Sequence, residues 1–403
     1  AVGGSVSFPE IAGEIIRQRQ FVGAGVVGTK LVIVGGMTSD GKPSNEVDVY
    51  DTKTGAWSKG AAFPGDAFGI GVASVNQAIF ASGRDGVLKS FKPGDTAWKD
   101  VRKLAYGRFF HQLVPVGNEL VVLGGIGGMH TRGRTRAIEK VPTTSGLSFG
   151  QMTFAYPGIA KNRQGIVPHG EEFYLFGGND SLEQHDFERK NFTSEGWVFD
   201  LATLQFRETT PYPFRRQSMQ TLETDTGGLA IGGFGHEPLV GDDTLAVSHP
   251  EAFSYDWDKS EWKGLAALPR GRTQFGVADH GDALWIFGGL NYDPNRKGPA
   301  AFDHDRSIWR ASKSDPTRRF EVVEGLELPA ARRAFAGAVF NGKYVIVGGM
   351  KDGFQLVEDC LEFDFEKRTF APFPCPASRL SGDLIPAGGK LYLVGGSVKA
   401  GED

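Results

Sequence analysis

Short apolar, β-rich runs recur along this chain, and each is stopped by glycine. They read "LVIVGG" (31–36), "AIFASG" (78–83), "LVVLGG" (120–125), "FYLFGG" (173–178), "GLAIGG" (228–233), "LWIFGG" (284–289), "YVIVGG" (344–349) and "LYLVGG" (391–396). In the second copy Ser82 takes the place of one glycine. Paired glycines ending a strand imply positive φ, or a backbone approach that a Cβ would forbid. After most pairs comes a polar loop, then a strand ending in an aromatic and usually an aspartate: "VDVYD" (47–51), "GWVFD" (196–200), "AFSYDWD" (252–258) and "LEFDF" (361–365). Six residues past that aspartate an aromatic opens a further strand: Trp57, Phe206, Trp262 and Phe370. Trp98 holds this place in the second copy, after Lys92, and the last strand closes on proline, as in "AAFPG" and "AALPR".

Four strands per unit at a period of about fifty residues is the pattern of propeller blades. The diglycine, the Tyr-Asp pair and the tryptophan six residues later resemble the kelch repeat over nearly the whole chain. The resemblance implies an all-β, kelch-type β-propeller, one domain over residues 1–403. Seven units are complete, while the eighth has only its first two strands, "RLSGDLIPAGGKLYLVGGS" (379–397). Eight four-stranded blades are expected, with "SVSFPEI" (5–11) donating an outer strand so that N- and C-terminal strands pair. Seven blades is the alternative. Long insertions follow the glycine pairs in units three to six, on the face where propellers usually build sites.

Composition narrows the function classes. Hydrophobic residues are 40% and charged residues 23%, as in soluble globular proteins. The net charge of −4 argues against non-specific nucleic-acid binding, which needs a basic face. No apolar run is long enough for a membrane span. Glycine, at 57 residues, is about twice its usual share, as the repeat requires.

Arginine recurs with the repeat. Sixteen residues before the first glycine stand Arg19, Asp66, Arg108, Arg216, Arg272, Arg332 and Arg379. Unit four offers Arg163, fourteen residues back on a shorter hairpin, and in unit seven "RRAF" matches "RRQS" better with Arg333. Such side chains either anchor loops within the repeat or ring the mouth of a central channel. Two like charges about 10 Å apart at an effective dielectric of ~20 repel by about 1.7 kcal/mol. A ring therefore calls for neutralisation by Asp180, Glu183, Asp186, Glu237, Asp242, Asp243, Asp303 and Asp305, or by a bound anion. Guanidinium forks suit carboxylate and phosphate, so a small acidic ligand, such as a sugar acid, is the leading expectation.

Histidines are the second cluster. His130, His185, His236, His249 and His304 fall on the loops after the glycine pairs of units three to six, while His169 and His280 fall in the opposite turns. Their spacing matches no ligand motif, but a divalent metal is the cofactor they suggest. His111, three residues after Arg108, is the better candidate for touching a channel ligand. Cys360 and Cys375 close a predicted hairpin, where a cross-strand disulfide would imply an oxidising compartment. Asn191-Phe192-Thr193 is a glycosylation sequon.

Kelch-like propellers include galactose oxidases, sialic-acid mutarotases, nitrile-specifier proteins and protein-binding adaptors, and fold alone does not choose among them. The oxidases need a cysteine cross-linked to tyrosine near copper, and neither cysteine here lies on a suitable loop or inner strand. The nitrile-specifier iron motif, Glu, Asp and His at steps of four, has no copy. The mutarotase resemblance implies a periplasmic or secreted carbohydrate-active protein, with an acid–base pair and a cation for the sugar carboxylate. That family's glutamate after the strand-two glycine is absent, and the nearest substitutes are Glu237 in "GGFGHE" and Asp180 in "GGND". His111, Glu237 and Asp180 are thus the candidate catalytic residues. The alternatives are a scaffold that recognises acidic peptides, and a metal-dependent lyase built from the histidine-rich loops.

Overall fold

The recurring aromatic and aspartate build one hairpin. In a computed structural model of the chain, Tyr50 lies opposite Trp57, Phe199 opposite Phe206, Tyr255 opposite Trp262 and Phe363 opposite Phe370. Their ring centroids are 4.7, 4.5, 5.0 and 4.8 Å apart, close enough for cross-strand aromatic attraction. Asp51, Asp200, Asp256 and Asp364 then turn the chain, each accepting a hydrogen bond from the backbone N–H two residues on.

The structure describes residues 19–20, 22–38, 40–127, 133–134, 138–146, 151–153, 163–180, 187–224, 227–241, 244–373, 383–387 and 389–394. Among them are seven four-stranded antiparallel sheets, blades 1 to 7, at 23–59, 71–103, 112–153, 165–209, 220–264, 276–327 and 336–373. In each, the strands pair in chain order. A two-stranded sheet follows, Asp383–Ala387 with Lys390–Val394. The expectation of eight four-stranded blades is corrected to seven and this pair, because the pair finds no third or fourth strand among the described residues. Residues 5–11, and with them the expected pairing of the termini, lie outside the described residues.

Burial holds the sheets face to face. Val32, Val34 and Val49 of blade 1 pack with Ile79, Ala81 and Phe91 of blade 2. Phe287 and Ile308 of blade 6 likewise meet Ile346, Leu361 and Phe363 of blade 7. First strands of neighbouring blades lie side by side, which places them innermost in the propeller. One face, the loop face, carries the connections after the glycine pairs and the links between blades; the other carries the hairpin turns. No helix of the described residues is long and apolar enough to cross a membrane.

Candidate functional site

The diglycine is a latch between blades. Nη1 of Arg108, Arg216 and Arg332 donates to the carbonyl of the first glycine sixteen residues on, Gly124, Gly232 and Gly348, at 3.2, 3.4 and 3.2 Å. The second glycine of the preceding blade donates its N–H to the backbone carbonyl at the arginine position: Gly178 to Arg216 at 2.7 Å, Gly233 to Arg272 at 2.9 Å and Gly289 to Arg332 at 2.8 Å. That contact leaves no room for a side chain. A Cβ on Gly177 or Gly232 would come within 2.4 or 2.5 Å of the same carbonyl oxygens, and both glycines have left-handed φ.

The repeated arginines are sealed inside this latch. Arg108, Arg216, Arg272 and Arg332 are 0% exposed. Arg216 pairs with Glu251 at 3.0 Å, and Arg332 pairs with Asp359. Arg272 pairs with Asp305 and lies 3.5 Å from the ring centroid of Trp309. Burial pulls Arg272 down to about 10, against the opposing pull of Asp305, so it stays charged at neutral pH. Of these acids only Asp305 was expected. Glu251 and Asp359 sit immediately before a third strand, and so do Glu46 and Glu195, a recurrence that the sequence offers as a signal.

Register moves several candidates. Ser82 pairs with Gly71 as Val34 pairs with Gly23, so Gly83 is the first glycine of blade 2 and Arg84 stands in place of the second. The arginine position of blade 2 is therefore Ala67, not Asp66, and the N–H of Gly36 binds the Ala67 carbonyl at 3.0 Å as the latch requires. Arg163 also shifts. It lies two residues before its first strand with φ 54, like Phe110, Ser218, Gln274 and Ala334, so its hairpin is not short and it is no counterpart of the buried arginines. Arg333 bridges Met350 as Gln217 bridges Phe234, leaving Arg332 as the latch residue of blade 7. Arg19 pairs by backbone with Thr38; its side chain and all of Arg379 lie outside what is described. None of the first strands contains lysine or arginine. The expected arginine-ringed channel is thus corrected: Arg108, Arg216 and Arg272 point into their blades, where backbone carbonyls and carboxylates hold them.

The candidate acid–base residues are not brought together. His111 is 3% exposed, with Nε2 2.8 Å from Ser82 Oγ. The carboxylate of Glu237 accepts from Arg189 Nη2 at 3.3 Å and from the Arg215 N–H at 3.2 Å. Asp180 donates its backbone N–H to the Asn191 carbonyl at 2.9 Å. The loop histidines are engaged locally: His236 with the Phe187 carbonyl, His249 with the Gly235 carbonyl, His304 with Asp352. Among the described residues no group of three or more His, Cys, Asp or Glu could hold a metal; His130 and His185 lie outside them. Asn191 of the sequon is buried. Cys360 is disulfide-bonded, and Cys375 lies outside the described residues.

What faces solvent at the channel mouth is a different set. Residues with left-handed φ, two before the first strand in blades 2 to 7, link neighbouring blades by backbone bonds: Phe110 N–H to the Gly69 carbonyl at 2.7 Å, Ser218 to Arg163 at 2.9 Å and Ala334 to Gln274 at 3.1 Å. From this ring the side chains of Phe110, Arg163 and Gln274 are exposed. Outside it runs an aromatic arc across blades 4 to 6: Phe187 to Phe234 at 5.3 Å, Phe234 to Tyr292 at 5.9 Å and Tyr292 to Phe302 at 4.9 Å. Arg163 lies over Phe187 at one end and Arg333 over Phe302 at the other. Leu239, Val240 and Phe302 are exposed at the loop tips.

Comparison with known proteins returns the same repeat. A family model described as Kelch motif matches residues 18–64. The chain is similar to Kelch-like protein terF of Aspergillus terreus, 24% identical over 338 residues, covering 80% of this chain and 69% of that protein. Kelch-like protein 41b of Danio rerio is 22% identical over 241 residues, 59% of this chain and 36% of that protein. Alpha-scruin of Limulus polyphemus is 24% identical over 210 residues, 51% of this chain but only 22% of its own length. The chain therefore spans only part of these relatives. Repeat, sheet order and matched motif agree: the chain is a kelch-repeat β-propeller.

Proposed function

We propose that the protein works by docking a segment of another protein on the loop face of the propeller. One contrast carries this reading. Side chains that repeat from blade to blade, the latch arginines, are buried against their acids; those that differ, Phe110, Arg163 and Gln274 at the mouth and Leu239, Val240 and Phe302 at the loop tips, reach solvent. Variation on a rigid scaffold, with exposed aromatic and aliphatic groups, is how binding faces are built. A sugar acid or other small acid is the weaker reading, because the guanidinium groups that would grip it are engaged within the blades. Acid–base chemistry by His111, Glu237 and Asp180 lacks support for the same kind of reason: no contact joins them. An oxidising compartment, periplasmic or extracellular, goes with this proposal, since Cys360 is disulfide-bonded and such bonds persist outside the reducing cytosol.

The test is selection of a random-peptide library on the full chain, with hydroxyl-radical footprinting of the bound state. Protection is expected at Phe110, Leu239 or Phe302, and not at Val322 or Val339, which are exposed near the turn face. Failure to retain any peptide, or protection confined to Val322 and Val339, would remove the proposal.

A further inference from the structure

Blade 2 breaks the arginine rule in a way that needs a reason. It has Ala67 where four other blades bury an arginine, and Arg84 where six other blades have the second glycine of the pair. The cation has, in effect, moved from the inside of the latch to its outside. Blade 2 does not need Arg84 to balance the acid that precedes its third strand, Asp85, or the buried lysine beside it. Asp85 binds the N–H of Val87, at the start of the third strand, as Asp305 binds that of Ser307 in blade 6. Its counterion is Lys89, whose side chain is 5% exposed. The buried Lys89 and the exposed Asp85 therefore pair with each other without Arg84.

Arg84 is left on the surface. Its side chain is 46% exposed, its guanidinium sits 4.2 Å from the centroid of the Phe109 ring, and the nearest carboxylate, Asp66, is 3.6 Å away. Among the described residues its N–H groups make no hydrogen bond. Beside it Phe68, Phe109 and Phe110 form a shelf, with centroids 5.0 Å apart for Phe68–Phe110 and Phe109–Phe110. Phe110 is 41% exposed, and so, at 40%, is Tyr106 in the link from blade 2 to blade 3. Blade 2 also has the shortest wall in reach. Only residues 83–86 separate its second and third strands, against the long loops of blades 3 to 6, so the shelf opens to the side of the propeller.

We propose that this shelf receives an extended protein segment that presents an apolar side chain next to a carboxylate. The apolar group covers Phe68, Phe109 and Phe110, and the carboxylate takes N–H groups of Arg84. The ring of Phe109 lies 4.2 Å from the guanidinium carbon, close enough for cation–π attraction, and a guanidinium held this way suits a bidentate carboxylate. A neutral apolar segment would cover the shelf and leave Arg84 with Asp66 alone, at 3.6 Å, whereas a purely acidic one would leave Phe110 exposed. The inference rests on the loop-face docking reading and names its site and chemistry.

The experiment uses the full chain, the same random-peptide library, and two variants. Arg84→Gly and Phe110→Ser install residues that other blades carry at these positions, so both are expected to fold, as their melting temperatures will show. Retained peptides should be enriched in Asp or Glu beside an aromatic or aliphatic residue. By fluorescence polarisation they should bind each variant at least tenfold more weakly, and Arg84→Lys should not restore the affinity, since lysine lacks the planar fork. Peptides that bind both variants as tightly as the parent, or that share no acidic position, overturn the site and leave loop-face docking standing. A library from which the parent chain retains nothing overturns both.

Discussion

His111 and His249 are each closed inside a blade interface as neutral imidazoles. Burial, then the charge of Arg108 beside His111 and of Arg216 beside His249, pushes each down to about 3. Glu251, 3.5 Å from His249 Nδ1, would favour the charged ring, but it is held by Arg216. An unfolded histidine titrates near 6.5. Between about pH 6.5 and 3 the unfolded chain therefore binds protons that the folded chain refuses, and stability falls as pH falls. The stabilisation is complete above about pH 6.5, and below it each histidine costs about 1.4 kcal/mol per pH unit. Urea midpoints measured from pH 7 to 5 should drop, and His249→Gln should flatten the slope; an unchanged slope in the variant would count against a buried neutral ring. The sequence located His111 and the arginines as recurrent or distinctive residues, but not the side to which they turn. Periodicity identifies equivalent positions, and a slip of one residue, as at Ser82, exchanges an interior position for an exterior one. Hence the repeat spacing points to Asp66 in place of Ala67, and nothing in it marks Arg84, one place past Gly83.

At the scale of the element, what was legible is what is local. The six-residue step from aspartate to aromatic is one Asx turn and one cross-strand pair, so the sequence alone contains it. The latch is not local, since it joins Gly178 of blade 4 to Arg216 of blade 5, and the spacing within one repeat does not reveal a bond to the next. Two glycines of blade 4 separate these causes. Gly170 and Gly177 have φ of 59° and 61°, but a Cβ on Gly170 meets nothing within 4 Å while one on Gly177 meets the Arg216 carbonyl at 2.4 Å. Gly170→Ala should cost only the left-handed conformation, about 1–2 kcal/mol. Gly177→Ala must also displace the neighbouring blade and should exceed about 3 kcal/mol by chemical denaturation. Equal costs at the two positions would mean that the diglycine serves its own turn and not the junction.

For the whole molecule, eight phased copies of one phrase were enough to name the architecture, because each copy is an inner hairpin and a propeller is a ring of them. They were not enough to count complete blades, since the hairpin recurs whether or not outer strands follow. The two-stranded sheet at 383–394 tests how the array ends. Leu391 is buried with Val345, Val347 and Cys360 of blade 7, and Leu384 and Leu393 pack against the same cluster. If the pair is the next layer of the stack, Leu391→Ala opens a cavity against blade 7 and should cost about 2–5 kcal/mol. In a repeat array stability is roughly a sum of neighbour terms, so faster hydrogen exchange should be confined to Lys343–Val347 and its partners, leaving Glu172–Phe176 of blade 4 unchanged. A loss under about 1 kcal/mol would show that blade 7 does not depend on the pair, and that the seven complete sheets hold together without it.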